Sequence, residues 1–195
     1  MAQVEHGLAP PLFDMLVHDR NLVAVMARHG MTRVLCAGNG ISQEPRALAA
    51  AGFNVVALDL SPTAARLAQV WRLQPRELEH LLGPEPPCSG GSVEYVTGSI
   101  LDSVLCPGPF DVIVERGTLQ LFRPEERSVA VEALARRLGA EGIFLSHCHD
   151  RGWRPPAEPV HALEAVFRLS GWTIVRGSLD EKPAGRCAWL TMSTG

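Results

Sequence analysis

The segment Val34-Leu35-Cys36-Ala37-Gly38-Asn39-Gly40-Ile41-Ser42 constrains the chain more than any other. A short apolar run leads into two closely spaced glycines, and an Ala/Leu-rich stretch follows. The order reads as strand, glycine turn and helix. Glycine tolerates positive φ and lets a ligand approach the backbone closely. A helix behind such a turn presents free N–H groups and a partial positive charge. The next apolar run, Asn54–Leu60, carries Asp59 near its end, 19 residues after Gly40. A carboxylate at that offset reaches two ribose hydroxyls. Together these features predict a nucleotide-type site; the competing reading is a generic tight turn beside an ordinary surface aspartate.

The same alternation runs along the chain. Thr32–Ala37, Asn54–Leu60, Val93–Thr97, Phe110–Glu115 and Gly142–Cys148 read as buried strands. Glu44–Ala51 reads as a helix closed by Gly52. Ser61 is an N-cap with Pro62 at the first position of a helix running to about Leu73. Pro124–Leu138 is an amphipathic helix ended by Gly139, and His161–Leu169 is helical with Gly171 beyond it. Strands alternating with helices predict an α/β fold with a mostly parallel sheet and helices on both faces. Trp172–Ser178 and Cys187–Ser193 are strand-like runs separated by LDEKPAGR, too short for a crossover helix. They predict a C-terminal antiparallel hairpin that completes a seven-stranded, Rossmann-like sheet.

The 195 residues fit a single domain spanning 1–195. Within it, Leu12–Ala27 has apolar residues at helical spacing, so 1–30 reads as a helical cover, over a ligand or simply on the sheet. Residues 74–92, with GPEPPCSGGS, and 150–159, with Trp153 and its prolines, read as loop insertions able to shape a pocket. Trp71, Trp172 and Trp189 lie in regular elements and are expected in the core. A net charge of −3 does not suit the neutralisation of phosphates, and no nucleic-acid partner is expected. No apolar run approaches the roughly 20 residues that span a bilayer. The first residues lack the basic start and apolar core of a signal, so a cytoplasmic protein without membrane contact is expected. Five scattered cysteines give neither a disulfide framework nor a CxxC pattern.

A dinucleotide turn carries a third glycine, GxGxxG, where the pyrophosphate meets the helix. Here that position is Gln43, preceded by Ser42. This pattern, with the closing hairpin, resembles the class I S-adenosylmethionine-dependent methyltransferases over roughly residues 30 to 193. The resemblance implies S-adenosyl-L-methionine as cofactor, held by Cys36, Gly38, Asn39 and Gly40. Cys36 stands where the family often has an acid, and Ser42 where it has a third glycine. Asp59, followed by Leu60, matches the ribose-binding acid. Val96–Asp102 resembles the adenine-holding segment, with Ser99 and Ile100 at its centre and Ser99 where an aspartate is frequent. Phe110–Leu119, followed by Arg123–Arg127, is similar to the thiopurine methyltransferase-like branch, which implies that Glu115, Arg116 and Gly117 face the cofactor. That branch methylates sulfur or other soft nucleophiles on small molecules. Its tryptophan-rich N-terminal signature is absent from LFDMLVHDRNLVAV.

The implied reaction is in-line displacement by S, N or O of a small-molecule acceptor. Alignment alone supplies up to about 7–11 kcal/mol in favourable cases. No metal is required, and a base is needed only where the acceptor must lose a proton. Glu115 either lines the sulfonium side or pairs with Arg116. His147 or His149 could act as base. His147-Cys148-His149-Asp150 could alternatively hold a metal, since alternate strand residues share a face, or be a surface segment without chemistry. Two other functions stay open at this level: a nicotinamide-dependent oxidoreductase, and a catalytically inactive cofactor-binding partner subunit. The acceptor and the oligomeric state are not encoded in these motifs.

Overall fold

A computed structural model of the chain describes residues 20–70, 90–149, 160–169, 171–175 and 187–193. The elements follow in the order α1 (Arg20–Arg28), β1 (Arg33–Ala37), α2 (Glu44–Ala50), β2 (Asn54–Asp59), α3 (Pro62–Val70), β3 (Ser92–Thr97) and β4 (Phe110–Arg116). A single 3-10 turn (Leu119–Leu121) leads to α4 (Pro124–Ala135), β5 (Leu138–His149), α5 (Val160–Leu169), β6 (Thr173–Val175) and β7 (Cys187–Ser193).

Among the described residues the strands form one sheet in the order β3-β2-β1-β4-β5-β7-β6. The chain builds outward from β1 to β3, then lays β4 on the other flank of β1. Every pairing from β3 to β5 is parallel. The direction of build-up therefore reverses between β1 and β4. In open α/β sheets, ligands bind outside the carboxyl ends of the strands at such a switch point.

Local chemistry accounts for the element ends. Gly52, at φ +99°, follows α2 and donates its N–H to Ala49. The Ser61 hydroxyl accepts the Ala64 N–H at 3.2 Å, capping α3 behind Pro62 as the sequence predicts. Asp111 Oδ2 accepts the N–H groups of Thr32 and Arg33 at 2.8 and 2.9 Å, tying the start of β1 to β4.

Side chains alternate across the pleat and fill two cores. On one face Val34, Cys36, Val55, Val112, Val114 and Leu145 pack against Val23 and Met26 of α1 and Leu48 of α2. On the other, Leu35, Ala37, Leu58, Ile113 and Phe144 meet Val131 and Leu134 of α4 and Phe167 of α5. Phe144, Phe167 and Trp172 stack edge to face with centroids 4.9–5.7 Å apart, so Trp172 is in the core as expected. Trp71 and the Trp189 side chain lie outside the described residues. Among those residues no helix is long and apolar enough to cross a membrane.

Three expectations are corrected. The C-terminal hairpin is not antiparallel: β7 pairs in parallel with both β5 and β6. The described β6 stops at Val175 and β7 starts at Cys187, leaving positions 176–186 between them. That is close to the dozen residues a parallel connection needs; the hairpin expectation rested on the eight residues of LDEKPAGR. The helix expected over Pro124–Leu138 ends at Ala135, and Gly139 lies inside β5 rather than closing α4. β5 correspondingly begins at Leu138 instead of Gly142, with its register against β4 shifting between Phe110 and Val112. Of the predicted N-terminal helix, 12–19 lies outside the described residues and the remainder corresponds to α1. The insertions 74–92 and 150–159 also lie outside them, apart from 90–92.

Candidate functional site

At the carboxyl end of β1 the chain turns through Gly38 at φ +67° and Gly40 at φ +55°. Both lie in the left-handed region that side chains with a Cβ disfavour. The Gly38 and Asn39 N–H groups donate to Leu58 at 2.8 and 3.2 Å. The Gly40 N–H donates to Asp59 Oδ2 at 2.6 Å, and the Ser61 N–H to Asp59 Oδ1 at 2.8 Å. The Asp59 carbonyl accepts the Gly98 N–H at 2.9 Å. One residue therefore ties together the glycine turn, the start of α3 and the loop after β3. Asp59 is half-buried, and each carboxylate oxygen keeps acceptor capacity. A β-carbon on Gly40 would meet nothing within 4 Å, so the outer side of the turn is open. Leu60 beside it is exposed. The Ser42 hydroxyl accepts the Glu44 N–H at 3.1 Å and so serves the start of α2.

The strand next to β1 supplies a buried acid. Glu115 Oε2 accepts the N–H groups of Thr118 and Leu119 at 3.0 and 3.1 Å, and Oε1 takes the hydroxyl of Ser146. The carboxylate bonds to these three groups and not to Arg116, so among the described residues the expected ion pair is not formed. Burial raises its pKa to about 7, against the opposing effect of those three hydrogen bonds. Thr118, held by Glu115, points back across the switch point. Its hydroxyl is shared between the carbonyls of Ala37 and Gly38 at 3.2 and 3.3 Å. Gly117, at φ +67°, completes the turn and donates to the His147 carbonyl at 2.9 Å.

Residues on the opposite face of β4 and β5 form a second group. Arg116 lies in register with His147, and Cys36 is in register with Val114 two residues before Arg116. The Cys36 thiol packs in the core, and burial pushes its pKa up, with Glu44 adding to the rise and Arg116 opposing it. Cys36 thus packs as a small core side chain. Among the described residues the buried Arg116 Nε and Nη2 atoms have no hydrogen-bond acceptor, and Gln43 Oε1 has no donor. His147 is buried at the end of β5. The side chains of Cys148 and His149, and all of Asp150, lie outside the described residues, where the metal reading falls. Among the described residues no three His, Cys, Asp or Glu side chains cluster as metal ligands would.

The loop after β3 carries Ser99, whose hydroxyl accepts the Leu101 N–H at 3.1 Å, and the buried Ile100. Three residues important here escaped the sequence reading: Thr118, Ser146 and Arg137. A small polar residue after Glu115-Arg116-Gly117 was the one available signal for Thr118. Ser146 reaches Glu115 across 31 residues of sequence, and the bonds of Arg137 to Ile100, Asp102 and Leu105 span 32 to 37, so these roles leave no local mark.

A parallel sheet with a glycine turn and an acid side by side at its switch point defines an α/β protein with a nucleotide-type cofactor site. Residues 35–146, more than half of the chain, match the family described as a methyltransferase domain. The chain belongs to that family and is an S-adenosylmethionine-dependent methyltransferase. A comparison with curated proteins gave no match. Among solved structures, a TehB-like SAM-dependent methyltransferase from Corynebacterium glutamicum is similar at 23% identity and TM-score 0.55, over 86% of this chain and 79% of that one. Magnesium protoporphyrin IX methyltransferase from Synechocystis with bound SAM is similar at 17% identity and TM-score 0.58, over 93% and 86%. A structure described by the conversion of a disulfide bond into a thioacetal group during echinomycin biosynthesis is similar at 22% identity and TM-score 0.54, over 87% and 76%. At these identities the likeness is one of fold.

Proposed function

We propose that the protein transfers the methyl group of S-adenosylmethionine to the S, N or O atom of a small molecule by in-line displacement. The observation that carries this reading is the Gly38–Gly40 turn bonded through the Gly40 amide to Asp59. Bound there, the cofactor supplies a methyl carbon activated by its sulfonium. The chain's own residues then have to hold, orient and shield.

The residues fit the cofactor. Asp59 keeps lone pairs for two ribose hydroxyls, and the open side of Gly40, with Asn39, lets a ligand lie against the backbone. The Ser99 hydroxyl uses its oxygen on Leu101, leaving its O–H to donate to an adenine ring nitrogen, with Ile100 and Leu60 as apolar neighbours. The buried guanidinium atoms of Arg116 suit the cofactor's carboxylate, and Gln43 Oε1 suits its ammonium group. Glu115 acts as a positioning residue through Thr118, and Gly117 gives the turn its shape. His147, beside Arg116 in register, is the candidate base for an acceptor that must lose a proton.

The small-molecule acceptor rests on the similarity of Glu115-Arg116-Gly117-Thr118-Leu119 to the thiopurine methyltransferase-like branch. Small-molecule chemistry is also named for two of the proteins of like fold. In this reading of a single domain, residues 1–30 serve as a helical cover and the insertions 74–92 and 150–159 shape the acceptor pocket. Calorimetric titration with S-adenosylhomocysteine and with NADH, followed by turnover on thiol, amine and hydroxyl acceptors, tests the proposal. Binding of NADH alone would overturn it.

A further inference from the structure

The segment between β3 and β4 has no sheet partner for its first turns, so its carbonyls need donors from elsewhere. They find them in one side chain. Arg137, which follows α4, is 2% exposed despite its charge. Its Nη1 donates to the carbonyl of Ile100 at 2.8 Å, its Nε to that of Leu105 at 3.3 Å, and its Nη2 to that of Asp102. A fourth bond, from Nη1 to Ala133 at 2.8 Å, ties the same guanidinium to the last turn of α4. All four of these acceptors are backbone carbonyls.

The backbone of Arg137 is fixed as firmly. Its carbonyl accepts the Phe110 N–H at 2.7 Å, and its N–H donates to Leu134 at 2.9 Å. The return leg of the loop passes directly over it: a β-carbon on Gly108 would lie 2.3 Å from the Arg137 carbonyl oxygen. At the other end, Gly98 is bonded to Asp59. Between these anchors, Ser99 and Asp102 close short turns onto Leu101 and Val104.

We infer that Arg137 is a positioning residue that sets loop 99–105 before the cofactor arrives, and so determines affinity and base selectivity on the adenine side. The inference rests on the proposed cofactor site, since it takes Ser99 and Ile100 as adenine neighbours. A role confined to capping α4 would account for the bond to Ala133 alone; the other three acceptors belong to the loop. The planar fork of arginine fixes three carbonyls relative to one another, which a lysine ammonium on a flexible stem does not. A buried charge among dipoles is also a costly way to fill space, and an apolar side chain of similar volume would fill it at least as well.

The test uses the full chain as wild type, Arg137→Lys and Arg137→Gln. Each is titrated calorimetrically with S-adenosylhomocysteine and with its inosine analogue, S-inosylhomocysteine. Amide exchange of Leu101, Val104 and Leu105 is followed without ligand. Wild type is expected to prefer the adenine compound and to protect these amides before any ligand is added. Both variants are expected to lose at least tenfold in affinity for S-adenosylhomocysteine, with the adenine-to-hypoxanthine preference reduced and the amides exchanging faster. A folded variant with affinity within twofold and an unchanged preference would overturn the inference. So would rapid exchange of the three amides in ligand-free wild type, a measurement that stands even where Arg137→Gln does not fold. Failure of wild type to bind S-adenosylhomocysteine would overturn the proposed site itself.

Discussion

Thr118 fills the space that a β-carbon on Gly38 would need, its Oγ1 lying 2.0 Å from that position and its Cγ2 2.5 Å. The close fit lets the Thr118 hydroxyl reach the carbonyls of Ala37 and Gly38. Gly38→Ala should therefore destabilise the protein by roughly 2–4 kcal/mol, through overpacking added to strain at φ +67°. Urea unfolding of a double-mutant cycle with Thr118→Gly separates the two. The second change should recover the overpacking share and leave the strain.

Glu115 gives the protein a distinctive pH dependence. Its folded pKa of about 7 lies above the ordinary carboxylate value of 4.5, so between these values the folded state holds a proton that the unfolded chain releases. Stability from this group is full below pH 4.5 and is lost as pH rises through 7. The slope approaches about −1.4 kcal/mol per pH unit within the window. Subtracting the urea stability of Glu115→Gln from that of wild type at each pH should isolate a decline of about 3 kcal/mol. A flat difference would mean that the carboxyl titrates as an ordinary surface acid.

Arg116 should separate stability from binding. Its buried Nε and Nη2 have no acceptor among the described residues, so replacing the charge with an apolar side chain of similar length removes a desolvation cost. Arg116→Met is expected to melt higher than wild type without ligand, yet to bind S-adenosylhomocysteine about 10–100-fold more weakly. Thermal unfolding and calorimetry on the same preparation read both effects.

Asp59→Ala removes the acceptor of the Gly40 and Ser61 amides together with the proposed ribose ligand. Cofactor affinity should fall by roughly 1–3 kcal/mol, as for the loss of a hydrogen-bonded charged group. Unchanged affinity in a folded variant would remove the main support for the site.

How much of this was legible in the sequence follows from how local each cause is. The glycine turn, the offset of Asp59 and the Ser61 cap could be read because positive φ and capping are decided within a few residues. The direction of β7 could not. Period-two patterning is the same in parallel and antiparallel strands, and only the length of the link distinguishes them, which depends on where β6 stops. Gly139 misled for a related reason: a glycine after a helical pattern reads as a stop, yet here it sits in β5 opposite the start of β4. The anchoring of Glu115 could not be read, because its partner Ser146 belongs to another strand.

The position of Asp59 has a dynamic consequence. Three amides, those of Gly40, Ser61 and Gly98, come from three separate loops and share this one residue as acceptor. Loosening any of the loops disturbs the others, so the three should open to solvent as one cooperative unit rather than fray independently. A ligand that engages Asp59 would then slow exchange at all three amides, including those it does not touch.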